Sequence, residues 1–324
     1  MLDTLPIGEA AALGAAAAWA VSSILWVRIG LHVRATVVSL VKGVLALGML
    51  AAAAWAMAVD FGSLSPLALG FFALSGVLGI GFGDTLYLDS LNRLGPTRSL
   101  LVAMLAPPLT ILGGWAVLQE RVPPLSLLGV AVTVAGVAWV VTRRERPAPS
   151  PRVQAEAAAE EAAAAAEPAG ADAARRSLWL GLATGGLGAA MQAASLIVNR
   201  YGYAQGEADA TLTTIVRIAA GVAVLAAALP LLGRPAGAVP VWRLGGRLWG
   251  LFVAATLIGT AGGMVLMQVA VDRGHSSGVV QTLLSTSPLF VMPMVALTGE
   301  RLSLSAVAGA LVATAGLGLL FAGL

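Results

Sequence analysis

The stretch GIGFGDTLYLDSLNRLGPTRSLLVAMLAPPLTILGGWAVLQER at residues 79–121 decides the fold, because it returns as GTAGGMVLMQVAVDRGHSSGVVQTLLSTSPLFVMPMVALTGER at residues 259–301. The two align without a gap. Gly79 falls on Gly259, Gly83 on Gly263, Arg93 on Arg273, Pro108 on Pro288, and Glu120-Arg121 on Glu300-Arg301. The register runs on to Gly129 over Gly309 and Ala135-Gly136 over Ala315-Gly316. Upstream, at slightly shorter spacings, Ala35-Thr36 matches Ala210-Thr211, Lys42 matches Arg217, and Arg28 and Gly30 match Arg200 and Gly202. Compositional bias supplies glycine matches, but it does not place charges and prolines in the same register. The chain is an internal duplication.

What is duplicated follows from composition. Of 324 residues, 58% are hydrophobic and 11% charged, and the mean hydropathy is +0.89. Soluble chains average about 25% charged residues, so too few polar side chains are present to cover a water-soluble globule. This excludes an ordinary soluble enzyme, a nucleic-acid binder and a disordered protein. A helix needs about 20 mostly apolar residues to cross about 30 Å of hydrocarbon. Ten stretches qualify: 6–27, 35–58, 66–88, 97–118, 124–142, 177–198, 210–232, 247–270, 277–298 and 303–323. The short alternating segments of a β-barrel are not seen. The expected fold is an all-α membrane protein. Met1-Leu2-Asp3 carries no basic side chain, so the first segment reads as a retained helix rather than a cleaved signal peptide.

Residues 144–176 interrupt the pattern with a polar, Pro-, Ala- and Glu-rich run that reads as a linker. It divides the chain into a first five-helix repeat at 1–143 and a second at 177–324. Five is odd, so the repeats enter the membrane from opposite sides. Such inverted repeats are typical of secondary transporters, whose binding sites lie between the repeats near the midplane.

The ends of the fourth helix of each repeat carry a resemblance. Ala106-Pro107-Pro108-Leu109 leads to Leu118-Gln119-Glu120-Arg121, and Ser287-Pro288-Leu289 leads to Thr298-Gly299-Glu300-Arg301. With Gly83-Asp84-Thr85-Leu86-Tyr87 and Leu94-Gly95-Pro96, these resemble the EamA-type permeases of the drug/metabolite transporter superfamily. The resemblance spans both repeats and implies a secondary carrier, often an exporter of amino acids or other small metabolites. It does not indicate which solute.

Charges inside a membrane are costly and mark function by default. Lys42, Asp84 and Arg217 lie inside spans. Lys42 and Asp84 fall towards the same leaflet on antiparallel helices. They read either as a static ion pair or as a proton-coupling site released when substrate approaches Lys42. Arg217 is the repeat-mate of Lys42, but the mate of Asp84 is Met264, so Arg217 is expected towards the other leaflet without an acid. It reads either as the captor of a substrate carboxylate or phosphate, or as a side chain reaching helix carbonyls or the interface. Gln192, Gln268 and Gln281 are further polar candidates. Pro107, Pro108 and Pro288 break the fourth and ninth helices at matching places, either shaping the bundle or exposing backbone to substrate. Glu120, Arg121, Glu300 and Arg301 end their helices at the membrane edge, where they anchor a turn or pair locally.

Cysteine is absent and only two histidines occur, both in loops. No metal site, cofactor or covalent catalyst is expected. Gly79-Ile80-Gly81-Phe82-Gly83 lacks the strand a dinucleotide loop requires, and with it goes an ATP-driven pump. Loop arginines concentrate on the side of the linker, so the positive-inside rule favours both termini outside, while the family resemblance favours them inside. The expected protein is therefore a multi-pass carrier in a plasma membrane. It works by alternating access on a small polar or anionic metabolite, with protons as a possible co-substrate. The alternatives are a phosphate-ester or nucleotide-sugar type exchanger, and a membrane scaffold or sensor acting through the linker.

Overall fold

The computed structural model describes residues 7–30, 35–94, 99, 102–119, 170–228 and 245–287, with isolated positions between 123 and 139 and between 290 and 319. Every regular element among the described residues is helical. α1 (Ile7–Gly30) and α2 (Ala35–Ala56) are followed by α3 (Pro66–Gly76), a π-helical turn at Val77–Gly83, and α4 (Asp84–Leu94). α5 (Ala106–Leu118) completes the first part of the described chain. α6 (Gly170–Tyr203) and α7 (Ala210–Ala228) precede α8 (Gly246–Ala255), a second π-helical turn at Thr256–Gly262, α9 (Gly263–Arg273) and α10 (Ser277–Leu284).

Six of these segments are long and apolar enough to cross a membrane: Ile7–Trp26, Val37–Ala56, Pro66–Tyr87, Arg176–Tyr203, Ala210–Ala228 and Gly246–Arg273. They coincide with six of the ten spans expected from hydropathy. Most of the spans expected at 124–142 and 303–323, and the second part of 277–298, lie outside the described residues. α6 begins at Gly170, inside the segment read as linker; residues 144–169 are outside the described residues.

Helix starts follow local chemistry. Ser65 accepts a hydrogen bond from the Ala68 amide at 3.2 Å ahead of Pro66, whose missing N–H costs nothing in a first turn. The Asp209 carboxylate caps α7 by accepting from Thr211 at 2.8 Å and Leu212 at 3.0 Å. The expected break of the fourth helix is present: a turn at Met104–Leu105 precedes Pro107 and Pro108, which then open α5. A matching turn at Ser285–Thr286 ends α10. Pro288 itself lies outside the described residues.

The helices of the two halves pack across one another. α1 lies along α8, the second π turn and α9, while α6 lies along α3, the first π turn and α4. Corresponding small residues make both crossings close. A Cβ on Gly79 would fall 2.5 Å from Ser195 Oγ, and one on Gly259 would clash with Ser22. In each half the first helix also donates a side-chain hydrogen bond to a π-turn carbonyl of the other: Gln192 Nε2 to Gly79 O at 3.4 Å, and Trp19 Nε1 to Gly259 O at 3.0 Å. Lipid gives helices no hydrophobic reason to associate, so close approach and such bonds hold the bundle together.

Candidate functional site

One face of α6 carries a polar stripe in an apolar helix. Gln192, Ser195 and Asn199 are spaced three and four residues apart, so they stack on one side of the helix. Ser195 is clasped to α3 by reciprocal bonds: its Oγ donates to Ser75 O at 2.8 Å, and Ser75 Oγ donates to Ser195 O at 2.9 Å. The stripe connects every charge expected inside the bundle.

At one end, Lys42 Nζ of α2 lies 4.0 Å from Asp84 Oδ2, the first residue of α4. The expected Lys42–Asp84 pairing is therefore present, loosely. Gln192 Nε2 donates to Asp84 Oδ1 at 3.4 Å as well as to Gly79 O. The Gly79 carbonyl also receives the Asp84 amide across the π turn, so the π turn both creates the acceptor and sets the position of the carboxylate.

At the other end, Arg217 is 2% exposed and lies seven positions into α7, about 10 Å along the helix at 1.5 Å per residue. Its Nη1 donates to Gln268 Oε1 at 2.6 Å and approaches Met267 Sδ at 3.7 Å. Its Nη2 donates to Ser195 Oγ at 3.2 Å. Gln268 is held in turn by Asn199, whose Nδ2 donates to the same Oε1 at 2.7 Å and whose Oδ1 accepts from Gln268 Nε2 at 3.3 Å. The Arg217 Nε is buried with no hydrogen-bond partner among the described residues. No carboxylate among them lies within 4.0 Å of the guanidinium. Arg217 and Asp84 meet different members of the α6 stripe, Ser195 and Gln192.

Three of the polar candidates join this track, Gln192 and Gln268 by direct bonds to charged side chains and Asp84 as one of those charges. Gln281 does not: it is half-buried on α10, and its side chain makes no hydrogen bond among the described residues. Pro107 and Pro108 are buried at the start of α5. Near the matching break, Ser285 Oγ and Thr286 Oγ1 donate to Gln281 O at 2.8 Å and Leu283 O at 2.7 Å, and Ser287 Oγ donates to Ala16 O at 2.7 Å. These hydroxyls satisfy backbone. Glu120, Arg121, Glu300 and Arg301 lie outside the described residues. Ser75, Ser195 and Asn199 were missed in the sequence; the signal for the last two was their spacing from Gln192 along a helix that is otherwise apolar.

A second cluster closes the face where α1 begins. Arg200, next after Asn199, donates from Nη1 to Val271 O and Gly274 O, each at 3.0 Å, and from Nη2 to His275 O at 3.2 Å. The buried Glu9 carboxylate accepts from the His275 amide at 3.1 Å and meets its Nδ1 at 2.7 Å. The cation and the acid thus pin the turn after α9 to α6 and α1.

Among curated proteins none matches the chain. A solved crystal structure, described only as that of a protein, superposes with a TM-score of 0.70, covering 96% of this chain and 95% of that one at 16% sequence identity. At that identity the likeness speaks for the fold alone. The family described as the EamA-like transporter family matches residues 6–142. The polar track through a bundle of apolar helices suits a membrane carrier of small solutes, and over residues 6–142 the chain is similar to the EamA-like transporter family.

Proposed function

We propose that this membrane transporter is a secondary carrier that moves a small polar or anionic metabolite by alternating access, in the exporting direction, across a plasma membrane. The observation that carries the reading is Arg217: a buried guanidinium in an apolar span, with a free donor and no acid within 4.0 Å among the described residues. An uncompensated charge in low dielectric is expensive, and an unpaired buried donor adds about 1–3 kcal/mol. A group kept in that state has its partner arrive from elsewhere.

The ten-helix, inverted-repeat architecture is part of this reading. Its support is the sequence register together with the paired π turns, the paired breaks at Met104–Leu105 and Ser285–Thr286, and the reciprocal packing of α1 and α6. In such an arrangement the track on α6 lies between the repeats, where carriers bind their solutes. Asp84 is the proton-coupling candidate: substrate drawing Lys42 away leaves the carboxylate to take up a proton, with Gln192 holding it in place.

The test is metabolite profiling of medium and cytosol from cells producing the wild type or Arg217→Ala at equal membrane levels. The expected result is a solute redistributed by the wild type and not by the variant. If no solute differs between wild-type-producing cells and empty cells, the carrier reading falls.

A further inference from the structure

We infer that the solute recognised by Arg217 carries a single negative charge on a planar, two-oxygen group, a monocarboxylate rather than a phosphate ester. This deepens the carrier reading above and rests on it for the place of the site in the transport path.

The first argument is the geometry of the guanidinium. Arginine presents five donors in a plane. Nη1, on the side of Cδ, is taken by Gln268 Oε1, with Met267 Sδ beside it, and Nη2 gives one bond to Ser195 Oγ. What remains without a partner among the described residues is the Nε–H, which lies on the side edge of the fork parallel to one of the two Nη2 hydrogens. That edge matches two oxygens of one planar anion. Gln268 holds the fork in this orientation, and its own amide is fixed by two bonds with Asn199, so the open edge is set before the ligand arrives. Gln268 and Asn199 are therefore positioning residues.

The second argument is charge. Lys42, Asp84 and Arg217 are the charged side chains of the track, and together they carry one net positive charge. A monoanion brings the site to neutrality. A dianion leaves an uncompensated negative charge beside Asp84, in surroundings where unbalanced charge is penalised most. A phosphate ester needs a second free cation, and Lys42 is already set against Asp84.

The same arithmetic predicts what variants do. Asp84→Asn raises the track to two net positive charges and turns its preference towards dianions. Lys42→Met leaves no net charge and weakens all anions. Arg217→Gln removes the fork.

The full-length protein in detergent micelles is melted in the presence of sodium benzoate, acetate, sulfate or phosphate at matched ionic strength. Benzoate and acetate are expected to raise the wild-type melting midpoint, by about 5 °C at a concentration a hundredfold above Kd, and sulfate and phosphate to leave it in place. In Arg217→Gln the affinity for benzoate falls by about a hundredfold. In Asp84→Asn sulfate overtakes benzoate. Should a variant not fold, displacement of radiolabelled benzoate from the wild type by acetate, but not by sulfate, carries the same test. Sulfate or phosphate stabilising the wild type as well as carboxylates do, an unchanged order in Asp84→Asn, or no binding of any carboxylate overturns the proposal. Carboxylate binding of the expected pattern without solute flux in proteoliposomes upholds the site and sinks the carrier reading. Flux that is indifferent to Arg217→Gln does the reverse.

Discussion

Replacing Gly76 by alanine tests whether one backbone crossing sets the position of Arg217. Gly76 ends α3 just before the first π turn, and α7 crosses it closely. A Cβ there would fall 2.7 Å from both the carbonyl carbon and the Cα of Arg217, and nearer still to its carbonyl oxygen. Carbon atoms rest at about 3.5–4.0 Å, so the helices must part by about 1 Å, and backbone cannot swing aside as a side-chain tip does. Overpacking of this kind costs about 1–3 kcal/mol. At about 2–4 °C per kcal/mol for a chain of moderate size, the melting midpoint in detergent should fall by about 5 °C. The same shift carries Arg217 away from Gln268 and Ser195, which hold it at 2.6 Å and 3.2 Å from two other helices. A misplacement of about 1 Å is worth up to about a hundredfold in a positioned site, so solute flux in proteoliposomes should fall far more than the melting point suggests. The control is Gly70→Ala on the same helix, where an added Cβ meets nothing within 4 Å; it should melt and transport as the wild type does. If Gly76→Ala behaves like Gly70→Ala in both assays, the crossing does not constrain Arg217 and the account of the site is wrong.

Arg200→Ala removes three bonds from a cation to the carbonyls ending α9; at about 1.5–3 kcal/mol for bonds to charged groups, reduced for partial exposure, the melting midpoint should drop by about 5 °C, and an unchanged midpoint would show the clasp to be incidental. The loop charges favour termini outside; on that orientation Ser63→Cys, between α2 and α3 in a chain with Cys 0, should react with an impermeant maleimide in intact cells. Labelling only after the membrane is opened would reverse the orientation. If the run at 144–176 is the linker its composition suggests, deleting residues 148–168 should leave solute flux unchanged; loss of flux with intact melting would bring the scaffold reading forward.

The spans were legible in the sequence because crossing hydrocarbon demands a length of apolar chain that little else produces. Asp84, Lys42 and Arg217 stood out for the matching reason, that a charge in such a run is rare. The π turns were not legible. VLGIGFG and TLIGTAG read as smooth glycine faces, and the side chains that meet their carbonyls, Gln192 and Trp19, lie far away in sequence. Ser195 and Asn199 escaped for a different reason. Serine and asparagine are ordinary in membrane helices, and their meaning comes from the arginine and glutamine they meet across the bundle.

Setting the halves against each other separates scaffold from chemistry. Ser22 and Ser195 press on matching glycines, and Trp19 and Gln192 donate to matching carbonyls, so these contacts build the bundle. What has no counterpart is the acid: Lys42 has Asp84, whereas Arg217 has Met264 in the corresponding place, packed at the edge of the cluster around Ile218. The missing acid is what leaves the track one positive charge in excess and keeps the fork of Arg217 open. Met264→Asp supplies it without touching Arg217. The repeat register sets the new carboxylate against Arg217 as Asp84 is set against Lys42, so the variant should remain folded, yet benzoate should no longer raise its melting midpoint, since the charge the ligand would balance is already balanced. A Met264→Asn variant, similar in shape and neutral, should keep the response. If Met264→Asp binds benzoate as the wild type does, the excess charge is not what draws the solute, and the asymmetry between the halves has another cause.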